Sequence, residues 1–308
     1  MVKVAVIGAG LMGHGLALAF AEGGHDVRIT DTFAETLGTV KTRISQTLAS
    51  LGRDVTAAAR VETVPTLEEA VNDAGFIVEA APEKLALKQE LFARIEAAAR
   101  PDAILASNTS VIPITQVMAR VKTKHRAIGT HWWNPPYLVP LVEVIQTSDT
   151  SQEVVNATME LMRQLGKVPV HVKKDVPGFV GNRLQHALWR EAISLVENGV
   201  CDAETVDLVV KSSFGRRLAV LGPLENADLV GTDLTLDVHS QVLYDLENSR
   251  QPSPYLQGLV REGNLGFKSN QGFKPWTDEK KTALRALVLE HLSKLNELLG
   301  SQGGNHAK

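Results

Sequence analysis

His131 and Glu143 are the first residues in this chain whose types and setting offer chemistry. They lie in the stretch 128–143, IGTHWWNPPYLVPLVE. A short apolar strand at 127–129 delivers His131, and the Asn134-Pro135-Pro136 turn sends the chain back. The apolar run 138–145 then carries one carboxylate, Glu143. A neutral imidazole is the natural general base near pH 7, and a carboxylate on its far nitrogen fixes the tautomer and stabilises the imidazolium. A His beside a strand is often only a satisfied structural residue, so the pair gains weight from what surrounds it.

The elements that must position this pair begin at the N-terminus. Residues 2–7 (VKVAVI) are β-branched and apolar, as a buried parallel strand should be. They run into Gly8-Ala9-Gly10-Leu11-Met12-Gly13 and then a helical pattern that stops at Gly23-Gly24. Between strand and helix this string has a mechanism: Gly8 permits the tight turn, Gly10 lets the backbone approach a pyrophosphate, and Gly13 lets helix and strand pack closely. The helix N-terminus offers free N–H groups to the phosphates, Leu11 and Met12 among them. A second strand, 26–30, ends at Asp31, where an acid suits the adenosine ribose and repels a 2′-phosphate, so NAD is expected rather than NADP.

Residues 34–70 read as helical, with a break at 51–54 and a turn at Pro65. Residues 76–80 and 103–106 read as strands, and a helix runs from Pro82 to Arg100. Glu79 and Glu83 stand at a strand-to-helix junction, where acids either face a ligand or stabilise a helix dipole. Ser107-Asn108-Thr109-Ser110 either cap the helix expected near Ile114 or reach a ligand. Thr150 to Glu153 reads as a capping box for a helix with its apolar stripe at Val154, Thr158, Leu161 and Leu165. Residues 167–173 read as a last strand. Beyond Asp175-Val176-Pro177-Gly178 only helical patterns follow, at 179–197, 203–211, 229–247 and 281–299, with Gly222-Pro223-Leu224 breaking them and a loop at 263–272 carrying Lys268. Asn182 falls in the first turn of the first of these helices.

The expected architecture is therefore α/β: a doubly wound sheet over residues 1–176, an all-helical domain over 177–300, and a disordered polar tail over 301–308. A chain of 308 residues accommodates about two domains. Its 44% hydrophobic and 22% charged residues are ordinary for a globular protein, and a net charge of -3 gives no reason to expect nucleic acid or a membrane surface as partner. Cys201 is the only cysteine, so no disulfide forms within the chain and a reducing, cytoplasmic setting is expected. None of the nine His sits at metal-ligand spacing, so no metal is expected. The apolar faces of the C-terminal helices exceed what one small bundle must bury, which predicts a homodimer through that domain.

Taken together, these motifs resemble the 3-hydroxyacyl-CoA dehydrogenase family from Val2 to about Phe273. The resemblance rests on Gly8 to Gly13 with Asp31, Glu79-Ala80-Ala81-Pro82-Glu83 with Lys88, and Ser107 to Ser110. It continues through His131, Asn134-Pro135, Leu141 to Val144, Pro177 to Arg183, Gly222-Pro223 and Gly266-Phe267-Lys268. It implies a Rossmann-type N-terminal domain and His131 as base with Glu143 as its partner. It further implies that Ser110 and Asn182 lie near the substrate oxygens, and that Glu83, Lys88, Ser110, Asn134 and Lys268 line the NAD site.

The reaction so implied is reversible, NAD-dependent oxidation of the 3-hydroxyl of an L-3-hydroxyacyl-CoA, as in fatty acid metabolism. Two departures open an alternative. The segment from Asp31 to Phe76 is short, with Lys41, Arg43, Arg53 and Arg60 its only cations, where acyl-CoA-acting members carry a lysine-rich helical hairpin. Trp132-Trp133 replaces a Phe pair, a spelling similar to relatives that oxidise free hydroxy acids such as gulonate, carnitine or pyridine-carboxylate alcohols. Arg216 and Arg217 are then either a carboxylate clamp or solvated surface arginines. A non-catalytic NAD-binding or structural protein is the remaining reading, and the intact His131, Glu143, Ser110 and Asn182 set argues against it.

Overall fold

The computed structural model describes residues 1–300. The stretch 301–308, expected as a disordered tail, lies outside the described residues. Contacts divide the described residues into two compact units, one of residues 1–183 with 296–300, the other of residues 184–295.

The first unit holds eight strands: β1 (Lys3–Ile7), β2 (Asp26–Thr30), β3 (Val61–Thr63), β4 (Phe76–Glu79), β5 (Ile104–Ser107), β6 (Ala127–Trp132), β7 (Leu141–Ile145) and β8 (Val168–Val172). They form one sheet in the order β3-β2-β1-β4-β5-β6-β7-β8. Every neighbouring pair is parallel except β6 and β7. The connecting helices are α1 (Leu11–Glu22), α2 (Ala34–Gly38), α3 (Val40–Ser50), α4 (Leu67–Val71), α5 (Leu85–Ala98), α6 (Ile114–Val117) and α7 (Gln152–Gln164).

The central strands are buried on both faces, and the pleat sorts their residues between them. Val4 and Val6 pack with Leu16 and Phe20 of α1, Ile44 and Leu48 of α3, and Met162 of α7. Ala5 and Ile7 face the other way, against Val71 of α4, Phe92 and Ile95 of α5, and Ile114 of α6. Strand order reverses between β1 and β4. In an open α/β sheet the crevice at such a reversal is where ligands bind.

Three sequence expectations are corrected in this unit. The stretch 34–70 is not helical throughout: β3 lies within it, pairing with β2 in parallel from Val27↔Val61 to Ile29↔Thr63. The helix before residue 100 begins at Leu85 rather than Pro82. The α7 cap is Ser151, whose side chain accepts from Val154 N–H, and the buried face of the helix is Val155, Thr158, Leu161 and Met162, with Val154 and Leu165 of the expected stripe only partly buried beside it.

The second unit carries the greater parts of α8 (Gly181–Glu197) and of the last helix, with α9 (Ala203–Ser212), α10 (Pro223–Val230), α11 (Thr232–Val242) and α12 (Pro254–Arg261) between them; that last helix is α13 (Asp278–Gly300). The expected helix 229–247 is interrupted by Gly231 at φ 101°, which ends α10 and heads α11. Gly222-Pro223 starts a helix rather than breaking one, and α12 was not anticipated. Among the described residues 184–295 no apolar side chain larger than glycine is fully buried; Leu208, Leu229, Leu236 and Leu287 are each more than 60% exposed.

Candidate active site

The Gly8–Gly13 turn closes against the end of β4. Gly8 adopts φ 106°, and a Cβ there would stand 2.8 Å from the carbonyl oxygen of Ala80. A Cβ on Gly13 would stand 1.8 Å from the carbonyl oxygen of Gly8, so only glycine lets α1 start this close to β1. Around Gly10, the N-cap of α1, the space is open: a Cβ there would meet nothing within 4 Å, and no side chain caps the helix. An uncapped helix N-terminus facing open space fits a pyrophosphate. Leu11 is exposed and Met12 half-buried at the same edge. Asp31, directly after β2, accepts the Ala9 N–H at 2.6 Å on one oxygen and the Phe33 N–H at 2.8 Å on the other. The turn and the acid thus form one cradle of the kind a dinucleotide requires.

His131 and Glu143 meet across the antiparallel ladder of β6 and β7, where they are direct register partners. Nδ1 of His131 lies 2.7 Å from Oε2 of Glu143, with both residues buried. An ionised carboxylate only accepts, so Nδ1 carries the proton and Nε2 is left with its lone pair free. The other Glu143 oxygen, Oε1, accepts the N–H groups of Val180 at 2.9 Å and Gly181 at 3.0 Å, where α8 begins. Burial works to raise the Glu143 pKa, but the His131 hydrogen bond and these two amides outweigh it and hold the carboxyl below its ordinary value. The imidazole is flanked by Trp133 and Phe179, with ring centroids 5.2 and 5.7 Å away. A Cβ on Gly181 would fall 2.4 Å from Trp133 Cζ2, so this glycine makes room for the indole.

Asn182 is nearly buried in the first turn of α8, and its Nδ2 donates to the backbone carbonyl of Ser110 at 2.7 Å. Ser110 is exposed just past the end of β5. The hydroxyls of 107–110 do not cap α6, because the Asp175 carboxylate takes the N–H groups of Ile114 and Thr115. Ser107 donates instead to Glu79 at 2.7 Å, Asn108 accepts the Trp132 N–H at 2.9 Å, and Thr109 donates to Glu83. Glu83 also accepts the N–H groups of Ser110 at 3.1 Å and Val111 at 3.2 Å. Its burial works to raise its pKa, but Thr109, Lys88 and these amides together leave it below its ordinary value. α5 starts at Leu85 with Lys84 at its N-cap position and no acid in its first turn.

Hydrogen bonds thus link His131 to Glu143, Glu143 to the two amides just before Asn182, Asn182 to Ser110 and Ser110 to Glu83, and Lys88 is buried behind Glu83. Asn134 is exposed in the turn after β6. Lys268 is exposed on the loop after α12, within the second unit, as are Arg216 and Arg217 further up the chain. Reasoning from sequence missed the amides of Val180 and Gly181 as partners of Glu143. Backbone donors leave no side-chain signature, and only the helix start at Pro177-Gly178 hints at them.

A doubly wound sheet with this glycine turn, an acid directly after the second strand and a His–Glu pair on neighbouring strands defines a nicotinamide-dependent dehydrogenase. The chain belongs to the 3-hydroxyacyl-CoA dehydrogenase family. The family's NAD binding domain matches residues 3–176 and its C-terminal domain residues 178–276. The chain is 36% identical over 289 residues to 5-formyl-3-hydroxy-2-methylpyridine 4-carboxylate 5-dehydrogenase of Mesorhizobium japonicum, covering 92% of this chain and 94% of that one. It is 37% identical over 293 residues to a probable 3-hydroxybutyryl-CoA dehydrogenase of Bacillus subtilis, covering 91% and 99%. A crystal structure of 5-formyl-3-hydroxy-2-methylpyridine 4-carboxylic acid 5-dehydrogenase superposes with a TM-score of 0.90 at 34% identity, covering 97% and 99%. The protein is an NAD-dependent dehydrogenase acting on a CH–OH group. No helix among its described residues is long and apolar enough to cross a membrane.

Proposed function

We propose that this enzyme oxidises the hydroxyl of a small free hydroxy acid, with His131 as the base. NAD held at the glycine turn would supply the acceptor for the carbinol hydride. His131 Nε2 takes the hydroxyl proton as the C–O bond becomes C=O, and Glu143 holds the Nδ1–H and shares the charge that develops on the ring. Ser110 and Asn182 supply hydroxyl and amide dipoles toward the substrate oxygen. Gly8, Gly10, Leu11, Met12, Gly13 and Asp31 hold the dinucleotide, and Glu83, Lys88, Ser110, Asn134 and Lys268 keep the cofactor roles the family resemblance gives them.

One observation carries the free-acid reading. Between Asp31 and Phe76 there is no lysine-rich hairpin, and the arginines there are engaged within the protein. Arg43 donates to the carbonyls of Ala9 and Thr36, Arg53 pairs with Glu22 at 3.1 Å, and Arg60 faces Asp26 at 3.9 Å. The phosphates of a CoA moiety would have to compete for those partners. The likeness to a pyridine-carboxylate dehydrogenase across nearly the whole chain supports the same choice. A second reading, oxidation of an L-3-hydroxyacyl-CoA, is favoured by the match to the Bacillus subtilis relative over 99% of that chain.

NADH formation at 340 nm separates the two, using gulonate, carnitine and pyridine-carboxylate alcohols beside 3-hydroxybutyryl-CoA. Turnover confined to the thioester would overturn the free-acid reading.

The same reading includes a homodimer built through the second unit. A helical unit of this size with no buried apolar side chain of its own lacks a core, and a second copy of the same faces supplies one. Sedimentation equilibrium at the monomer mass across micromolar concentrations would contradict it. The lone Cys201 supports a reducing, cytoplasmic setting.

A further inference from the structure

Phe179 has a backbone conformation that its own side chain disfavours. Its φ is 51°, in the left-handed region that bulky residues rarely enter, and it directly follows Gly178 at φ 72°. Among the described residues other than glycine only Asn270 shares this property, and asparagine tolerates it because its short polar side chain bonds locally. Such strain persists only where the surrounding structure holds it, and it gathers at functional sites. Two backbone bonds pin the turn: the Gly178 N–H donates to the Val111 carbonyl and the Phe179 N–H to the Val176 carbonyl, each at 3.1 Å. Neither bond needs a phenyl ring. The ring is 1% exposed, in the same apolar cluster as Ile114 and Ile145, and its burial offsets the backbone strain.

The four residues from Gly178 to Gly181 touch the His131–Glu143 pair on three sides. The N–H groups of Val180 and Gly181 both donate to Glu143 Oε1, at 2.9 and 3.0 Å. The Phe179 ring lies 5.7 Å from the imidazole, centroid to centroid. Gly181 leaves room for Trp133, whose ring stands 5.2 Å from the same imidazole. Two successive amides reach one oxygen because the left-handed residues before them reverse the chain. With an ordinary negative φ at Phe179 the chain would leave on another course, and Oε1 would lose both donors. A buried carboxylate oxygen without donors is unfavourable, and a carboxylate free to turn does not hold the imidazole in place.

We infer that Phe179 is a positioning residue for the proton transfer: its buried ring holds the left-handed turn that aims the Val180 and Gly181 amides at Glu143, and through Glu143 it orients His131. The inference rests on the reading of His131 and Glu143 as the proton-transferring pair.

Three variants of the full-length protein test it. Phe179→Ala removes the ring and keeps the backbone strain. Phe179→Gly removes ring and strain together, because glycine enters the left-handed region freely. Phe179→Leu keeps most of the buried volume and remains foldable if the smaller side chains do not. Thermal melting establishes which variants fold. Amide hydrogen exchange at Val180 and Gly181, measured relative to the β1 amides, should quicken by about tenfold or more in Phe179→Ala and about threefold or more in Phe179→Leu. Phe179→Gly should fall between wild type and Phe179→Ala, the reverse of the usual order of these two residues. The low-field proton signal of the His131 Nδ1–H should broaden in the same order. At saturating NAD and substrate, kcat should fall by about 10- to 100-fold in Phe179→Ala, as expected when reacting groups are misplaced by a fraction of an ångström. NADH affinity should change by less than about threefold, because the glycine turn is untouched.

Equal quickening at Val180, Gly181 and β1, the mark of a generally loosened core, would overturn the inference. So would exchange in Phe179→Gly as fast as in Phe179→Ala. If neither small variant folds, Phe179→Leu decides alone, and wild-type exchange at Val180 and Gly181 would overturn the inference. Exchange and the proton signal need no turnover, so they are independent of the choice of substrate. Quickened amides and a broadened signal with kcat at the wild-type level would count against the proton-transfer reading itself, and against the inference with it.

Discussion

Glu143 reaches His131 across a strand ladder, with Oε2 2.7 Å from Nδ1 and each residue the register partner of the other. A direct cross-strand pair is held by the backbone of two buried strands, and a slip of one residue would turn the carboxylate to the opposite face of the sheet. The second Glu143 oxygen is bound by two amides at the start of α8. The carboxylate is therefore fixed from both sides, and the imidazole with it. His131→Gln should lower kcat by about 10²- to 10⁴-fold, the usual span for loss of a general base. Its NADH affinity should stay near wild type, because the glycine turn is untouched. Steady-state kinetics beside a fluorescence titration checks this, and near-full turnover in the variant would remove His131 from the mechanism.

The charge state of Glu143 makes a prediction in acid. Its pKa is lowered in the folded protein: burial opposes ionisation, but His131 and the amides of Gly181 and Val180 outweigh it. A depressed carboxylate pKa contributes stability that is fully present above the ordinary value of 4.5 and lost as pH falls through the folded value. Glu143→Gln has no such titration. The difference in unfolding free energy between wild type and Glu143→Gln should shrink as pH falls below about 4.5. Urea unfolding at a series of pH values measures it, and a difference that stayed constant down to pH 3 would show that the carboxylate gains nothing from its partners.

The glycine turn makes the sharpest steric prediction. A methyl group at Gly13 would sit 1.8 Å from the Gly8 carbonyl oxygen, a backbone atom that cannot move without opening the turn. Gly13→Ala should therefore displace the start of α1 and weaken NADH binding by about 100-fold or more, at a stability cost of about 1–3 kcal/mol. Gly10→Ala meets nothing within 4 Å in the free protein, so it should fold like wild type. Any loss of NADH affinity there would come from the methyl group meeting the pyrophosphate. Equal stability loss in the two variants, by calorimetry, would contradict this separation.

These contrasts show where the sequence was legible. The turn 8–13 and Asp31 were readable because glycine spacing, a β-branched run and an acid act over short range. The His131–Glu143 pairing was readable because a tight turn lies between two apolar runs. The three residues of β3 were lost within a helical context: a strand that short has no periodicity of its own, and pairing with β2 decides its state. The stretch 229–247 was read through Gly231, although a glycine at φ 101° can stop one helix and start another. The burial of Lys88 and the amide grip on Glu143 join segments 7 to 38 residues apart through backbone atoms, and no residue type announces them.

Lys167 braces the loop that follows β6, and its charge is costly there. Its ammonium donates to the carbonyls of Pro136 at 2.5 Å and Val139 at 3.2 Å, and lies 5.5 Å from the centre of the Trp132 ring. Burial, helped by the nearby Arg53 and only partly offset by Glu22, lowers its pKa from 10.5 to about 8. For a base with a depressed folded pKa the unfolded chain holds more protons between the two values, so stability rises with pH across that window. Below about pH 8 the folded protein bears the full cost of this partly buried charge. Lys167→Met removes the titration along with the two hydrogen bonds. The unfolding free energy of wild type relative to Lys167→Met should therefore be constant from pH 6 to 8 and climb between about 8 and 10.5, by at most about 3 kcal/mol. Chemical denaturation of both proteins at half-unit pH steps follows this difference, and a fall in it over the alkaline window would mean that the ammonium is favoured in the fold.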